Sequence, residues 1–175
     1  MKKRILSTVL AVSSLIKPAL ALAEIKVGDQ APLFALKTQD NNDFDLKTRK
    51  DLWTVLYFYP KADTPGCTKQ ACAFRDNIKK ITDQGADVFG ISVNSVSSQV
   101  EFHKKYHLSF ALLADEDGRV ARLYGTKMPL LNISKRWTFI IGPDLKIKSI
   151  RKNVDPAVDA QAVADELIQL KKDLK

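Results

Sequence analysis

The chain has 175 residues, a formal net charge of +8 and two cysteines. That length buries enough apolar surface for one domain without disulfide staples. The basic excess lies in short clusters such as Lys104-Lys105, Lys146/Lys148 and Lys171-Lys172; nucleic-acid binding, which asks for a dense basic stripe with interleaved aromatics, is excluded.

The first residues read as an address. Lys2, Lys3 and Arg4 form a basic n-region, Ile5 to Ile16 is apolar, Pro18 breaks the run, and Ala21-Leu22-Ala23 has the small-x-small pattern of a leader-peptidase site. The run is too short to span a bilayer. The spacing therefore predicts a signal peptide over 1–23, export to the periplasm without a retained membrane anchor, and one domain over 24–175. Removing the leader's four basic residues (Lys2, Lys3, Arg4, Lys17) lowers the charge from +8 to +4.

Leu33–Lys37 and Asp43–Leu46, joined by the turn Asp40-Asn41-Asn42, read as a hairpin. Trp53 to Tyr59 is a continuous apolar run, the mark of a central strand buried on both faces. A helix over 67–84 precedes a strand over Asp87–Ser92, a helix over Ser97–His107 and a strand over Ala111–Ala114. Glu116-Asp117-Gly118 opens a short helix ending near Gly125. Thr138–Ile141 and Lys146–Arg151 pair around Gly142-Pro143-Asp144. Asp155-Pro156 is the predicted N-cap and first turn of a last helix carrying Ala160, Val163, Leu167 and Leu170. Strands alternating with helices predict an α/β fold, with parallel strands in a mixed central sheet and helices on both faces.

Both cysteines lie in one stretch, Tyr57 to Asp76. With Cys67 at zero and about 100° per residue, Ala71, Phe74, Ile78 and Ile81 share its helix face, which points to the core. Cys72 falls about 140° away and about 7.5 Å along the axis, beyond the roughly 7 Å between Cα atoms that a disulfide tolerates. A disulfide and an intact helix exclude each other here. A static structural bond is disfavoured, and a pair that cycles while the helix melts and reforms fits. Cys67 also sits at a helix N-terminus, where free N–H groups favour a thiolate. Thr64 is placed to contact the sulfur or its reaction partner, or to build the turn.

Pro60-x-x-x-Thr64-x-x-Cys67 resembles the active-site signature of the peroxiredoxins. Thr64-Pro65-Gly66-Cys67-Thr68, Ala71-Cys72 and Phe74-Arg75-Asp76 are similar to the bacterioferritin-comigratory-protein or Q-type subfamily. Phe58-Tyr59-Pro60-Lys61, Gly90-Ile91-Ser92, His103-Lys104-Lys105-Tyr106, Leu112-Leu113-Ala114-Asp115 and Arg136-x-Thr138-Phe139 resemble further family blocks in the family order. The resemblance spans most of residues 25–170. It implies a thioredoxin-like fold and reduction of hydrogen peroxide and organic hydroperoxides. It makes Cys67 the peroxidatic cysteine, with Pro60, Thr64 and Arg136 as partners, and Cys72 the resolving cysteine, recycled by a thioredoxin-like dithiol reductant. No metal or cofactor is expected, and the chain is expected to act as a monomer. Trp137 replaces the smaller residue common in the family and reads as packing on the opposite strand face, and the segment Gly125 to Lys135 is shorter than in many relatives.

Two other readings compete. Cys67, Cys72, His103 and His107 form a C-x4-C…H-x3-H pattern, but the cysteines diverge on their helix and the gap is long for a zinc finger. A non-peroxidatic dithiol–disulfide oxidoreductase favours Cys-x-x-Cys, which this chain lacks.

Overall fold

The computed structural model describes residues 24–173; the predicted leader and its cleavage site at Ala23 lie outside the described residues. Strands Ala35–Thr38 (β1) and Asp43–Asp45 (β2) form the predicted hairpin. A 3-10 turn over Leu46–Arg49, absent from the sequence reading, follows because the Asp45 carboxylate accepts the Lys47 N–H at 2.8 Å. Then come Trp53–Phe58 (β3), Pro65–Thr82 (α1), Ala86–Ser92 (β4), Val96–Lys105 (α2), Ala111–Ala114 (β5), Arg119–Leu123 (α3), Trp137–Ile141 (β6), Ile147–Arg151 (β7) and Asp159–Lys172 (α4).

The strands make one seven-stranded sheet in the order β2-β1-β5-β4-β3-β6-β7. The pairs β3–β4 and β4–β5 are parallel, and β3–β6, β6–β7, β1–β5 and β1–β2 are antiparallel. This is the mixed sheet of the predicted α/β class. Every residue of β3 is buried, as its unbroken apolar run requires. Trp53, Val55 and Tyr57 face a core built with α1, α2 and α4. Leu56 and Phe58 face a second core built with α3 and the N-terminal hairpin. Each such buried side chain contributes about 1.5–3 kcal/mol, so β3 is held from both sides while its C-terminal end leads to the cysteines.

In α1, Cys67, Ala71, Phe74 and Ile81 are buried and Ile78 packs against the same core, the face given by the periodicity. The helix starts two residues before its predicted start. Thr64 is still extended, and Pro65, whose ring presets a helical φ, takes the first position. Gly85, at φ +67°, ends it by donating its N–H to Thr82 O. Helix α2 likewise starts one residue early, because Ser95 accepts the Ser98 N–H.

The predicted N-cap of the last helix is corrected. Asp155 accepts the N–H of Ala157 through its side chain (2.8 Å) and that of Asp159 through its carbonyl (3.2 Å), closing a separate turn. Helix α4 begins only at Asp159, whose side chain is fully buried. That burial is what the site requires. Among the described residues no helix is long and apolar enough to cross a membrane.

Candidate active site

The turn Lys61–Thr64 carries the chain from β3 into α1, and five hydrogen bonds fix it. Tyr59 donates its N–H to Ile91 O (3.0 Å), and Ala62 donates its N–H to Asn94 Oδ1 (2.9 Å). Thr64 donates its hydroxyl to Lys61 O (2.9 Å). Asp63, in the left-handed region at φ +58°, accepts from Lys105 Nζ (2.7 Å) and the Tyr106 hydroxyl (2.6 Å). Those two bonds hold the Asp63 carboxyl below the usual carboxylate range. Thr64 therefore builds the turn with its proton and keeps its oxygen lone pairs free. Pro60 is half-buried at the head of the turn.

Cys67 lies in the first turn of α1 with 1 % of its surface exposed. Arg136, the residue before β6, reaches it from the strand end: Nη2 donates to Cys67 Sγ at 3.4 Å and Nη1 to Gln70 Oε1 at 2.6 Å. Gly66 leaves room for this approach: an added Cβ would come within 3.2 Å of Arg136 Nη2. Trp137 turns to the opposite face, as predicted, and packs near Phe139 with Lys135 and Lys152 over its ring.

Gln70 continues inward. Its Nε2 donates to Asp159 Oδ2 (2.9 Å), which also accepts the Thr138 hydroxyl (2.7 Å). Arg151 Nε donates to Asp159 Oδ1 (3.2 Å), and Arg151 also pairs with Glu166. Gln70, Thr138 and Asp159 are all fully buried. Asp159 is thus linked through one amide to the guanidinium on the sulfur. Neither Gln70 nor Asp159 was among the sequence candidates. The available signal was a polar residue, three after Cys67, on an otherwise apolar helix face.

Cys72 is half-buried one and a half turns along the same regular helix, and both thiols are free. Tyr59, beneath the site, is kept neutral by burial, which pushes its phenol well above the ordinary value; it donates to Gln99 Oε1 at 2.7 Å. His103 is half-buried and His107 exposed. Among the described residues no three His, Cys, Asp or Glu side chains are grouped so as to hold a metal ion. The assembled groups can do one kind of chemistry well: a shielded sulfur faces a guanidinium and the free N–H groups of a helix start, all aimed at charge developing beside it.

A model of the AhpC/TSA family matches residues 27–150. The chloroplastic peroxiredoxin Q of Oryza sativa subsp. japonica is 40% identical over 131 residues, which are 74% of this chain and 60% of that protein. The chain therefore spans about 60% of the length of that relative. A crystal structure of peroxidoxin BcpB from Mycobacterium tuberculosis superposes with a TM-score of 0.78 at 34% identity, covering 84% of this chain and 99% of that one. A structure of the bacterioferritin comigratory protein of Xanthomonas campestris, described for its alkyl peroxide reduction activity, gives 0.75 at 26% identity over 78% and 91% of the two chains.

Proposed function

The chain belongs to the AhpC/TSA family, in its peroxiredoxin Q branch, and from that premise we propose that it is a thiol peroxidase in which Cys67 attacks hydrogen peroxide or an organic hydroperoxide. The observation that carries the reading is the Arg136 guanidinium 3.4 Å from a buried cysteine sulfur at a helix N-terminus. The Cys67 thiolate forms an S–O bond to one peroxide oxygen as the O–O bond breaks. The departing oxygen gathers charge, which Arg136 and the first N–H groups of α1 can meet, and leaves as water or an alcohol after taking a proton. Cys67 becomes a sulfenic acid. Once α1 unwinds over its first turns, the Cys72 thiolate attacks that sulfur, water leaves, and an intramolecular disulfide forms. A thioredoxin-like dithiol reduces it by exchange and is itself oxidised.

Alkyl peroxides are included because a structural relative is described as reducing them. Both cysteines sit on one helix, so the cycle needs a single chain, and we place it in a monomer. The basic and apolar leader supports export, with the periplasm as the site of action and an exported dithiol protein as the donor. A simple dithiol carrier fits less well, because an intact α1 holds the two sulfurs apart.

The test is dithiol-coupled peroxide consumption. Cys67→Ser is expected to abolish it. Cys72→Ser is expected to consume one equivalent and then stop. Wild-type turnover by Cys67→Ser would overturn the proposal.

A further inference from the structure

The segment that must unwind is anchored on both sides to one residue. Before it, Asp63 accepts the Tyr106 hydroxyl at 2.6 Å, alongside Lys105 Nζ. After it, Arg75 Nη1 donates to the Tyr106 carbonyl oxygen at 2.7 Å. Tyr106 follows α2, and its backbone N–H still bonds to Phe102 O (3.2 Å). Its ring packs edge-on against the buried Phe102 at 5.3 Å, and Phe102 packs against Tyr59 at 6.0 Å. The anchor therefore belongs to the core, while residues 64–74 between its two grips carry both cysteines. Arg75 follows Cys72 by three residues, a spacing that puts the two on neighbouring positions of one helix side.

We propose that Tyr106 is a positioning residue for the resolving step: gripping Asp63 with its hydroxyl and Arg75 with its carbonyl, it brackets the cysteine segment and sets how often that segment unwinds. This rests on the reading of Cys67 and Cys72 given above. The grip matters because the sulfenic acid has two fates. Attack by the Cys72 thiol gives the disulfide and water. Attack on a second hydroperoxide gives the sulfinic acid and an alcohol or water, and ends the cycle. Only the first requires the helix to open. Partly exposed charged bonds shift an equilibrium by only about two- to five-fold. That is small for global folding but decisive for a local opening that competes with a bimolecular reaction.

Tyr106→Phe removes the hydroxyl grip and keeps the carbonyl grip; Asp63→Asn weakens the same contact and the Lys105 ion pair with it. Each variant is treated with one equivalent of hydrogen peroxide and quenched in time. Mass spectrometry follows the disulfide, and a peroxide titration follows the sulfinic acid. Both variants are expected to form the disulfide about two- to five-fold faster and to need correspondingly more peroxide for half-conversion to sulfinic acid, and Tyr106→Phe is expected to add nothing further in the Asp63→Asn background. Unchanged disulfide rates and unchanged sulfinic midpoints in variants that keep the wild-type near-ultraviolet dichroism would overturn the clamp. A wild type that forms the sulfenic acid but never the disulfide would instead overturn the resolving role of Cys72.

Discussion

The Gln70 amide stands between two charges, accepting from Arg136 at 2.6 Å and donating to Asp159 at 2.9 Å. An amide suits this position because it offers an acceptor to the guanidinium and a donor to the carboxylate at once. Gln70→Met keeps the volume and removes both bonds. Arg136 then has no partner fixing its fork over the sulfur, and a hydrogen bond to a charged group is worth about 1.5–3 kcal/mol. The second-order rate with peroxide is expected to fall about 10- to 100-fold at that value, as read by single-turnover sulfenic acid formation. Thr64 acts differently. Its hydroxyl proton is committed to Lys61 O, which leaves its oxygen only an acceptor's part toward any further partner.

Helix α1 combines a buried sulfur with a regular hydrogen-bond ladder, and Asp63 before it and Arg75 within it both bond to Tyr106. The junction of β5 and α3 shows a different balance. Helix α3 has only five residues and starts from Gly118 at φ +67° without a side-chain cap. The Asp115 carboxylate compensates, accepting the N–H groups of Val120 (3.0 Å) and Ala121 (2.8 Å). Burial raises its pKa, and the two N–H bonds only partly offset this. A carboxyl whose folded pKa is raised adds stability below its ordinary value of about 3.9 and loses it as pH rises through the folded value. Asp115→Asn cannot titrate. Urea midpoints are therefore expected to move in favour of the variant, relative to wild type, as pH is raised above the ordinary value of about 3.9 and through the raised folded one. A constant difference between the two chains would refute the assignment.

At the scale of the whole molecule, the two cores meet through β3 and β4, where Tyr57 lies opposite Gly90. A Cβ on Gly90 would come within 2.6 Å of the Tyr57 ring and 2.8 Å of Leu112, both fully buried. Gly90→Ala is expected to cost about 1–3 kcal/mol through overpacking, read as a lowered denaturation midpoint. Among the described residues the Tyr57 hydroxyl has no hydrogen-bond partner, and burial raises its pKa well above the ordinary value. Tyr57→Phe removes an unpaired buried group whose burial costs about 1–3 kcal/mol. It is expected to raise the melting temperature without lowering peroxide consumption.

Local order was legible before the fold was known. The unbroken run of β3, the stripe of α1 and the incompatibility of a Cys67–Cys72 bond with that helix follow from backbone periodicity, which depends on neighbours a few residues apart. Cys67 at a helix start was readable from spacing, and family resemblance joined Pro60 and Thr64 to it as one motif. Arg136, 69 positions from Cys67, was legible only through family resemblance, because no local rule ties a strand-end arginine to a distant helix start. Asp155-Pro156 carried the chemistry of a cap, yet the helix waited for Asp159, whose buried partners Gln70 and Thr138 come from other elements. The sequence by itself determined a helix whose two thiols cannot join while it stands. Only the tertiary structure decided what faces that sulfur and what bonds to the two flanks of the cysteine segment. Arg136 with its Gln70–Asp159 link, and Tyr106 with its two bonds, are contacts between elements that exist only once the sheet has brought those elements together.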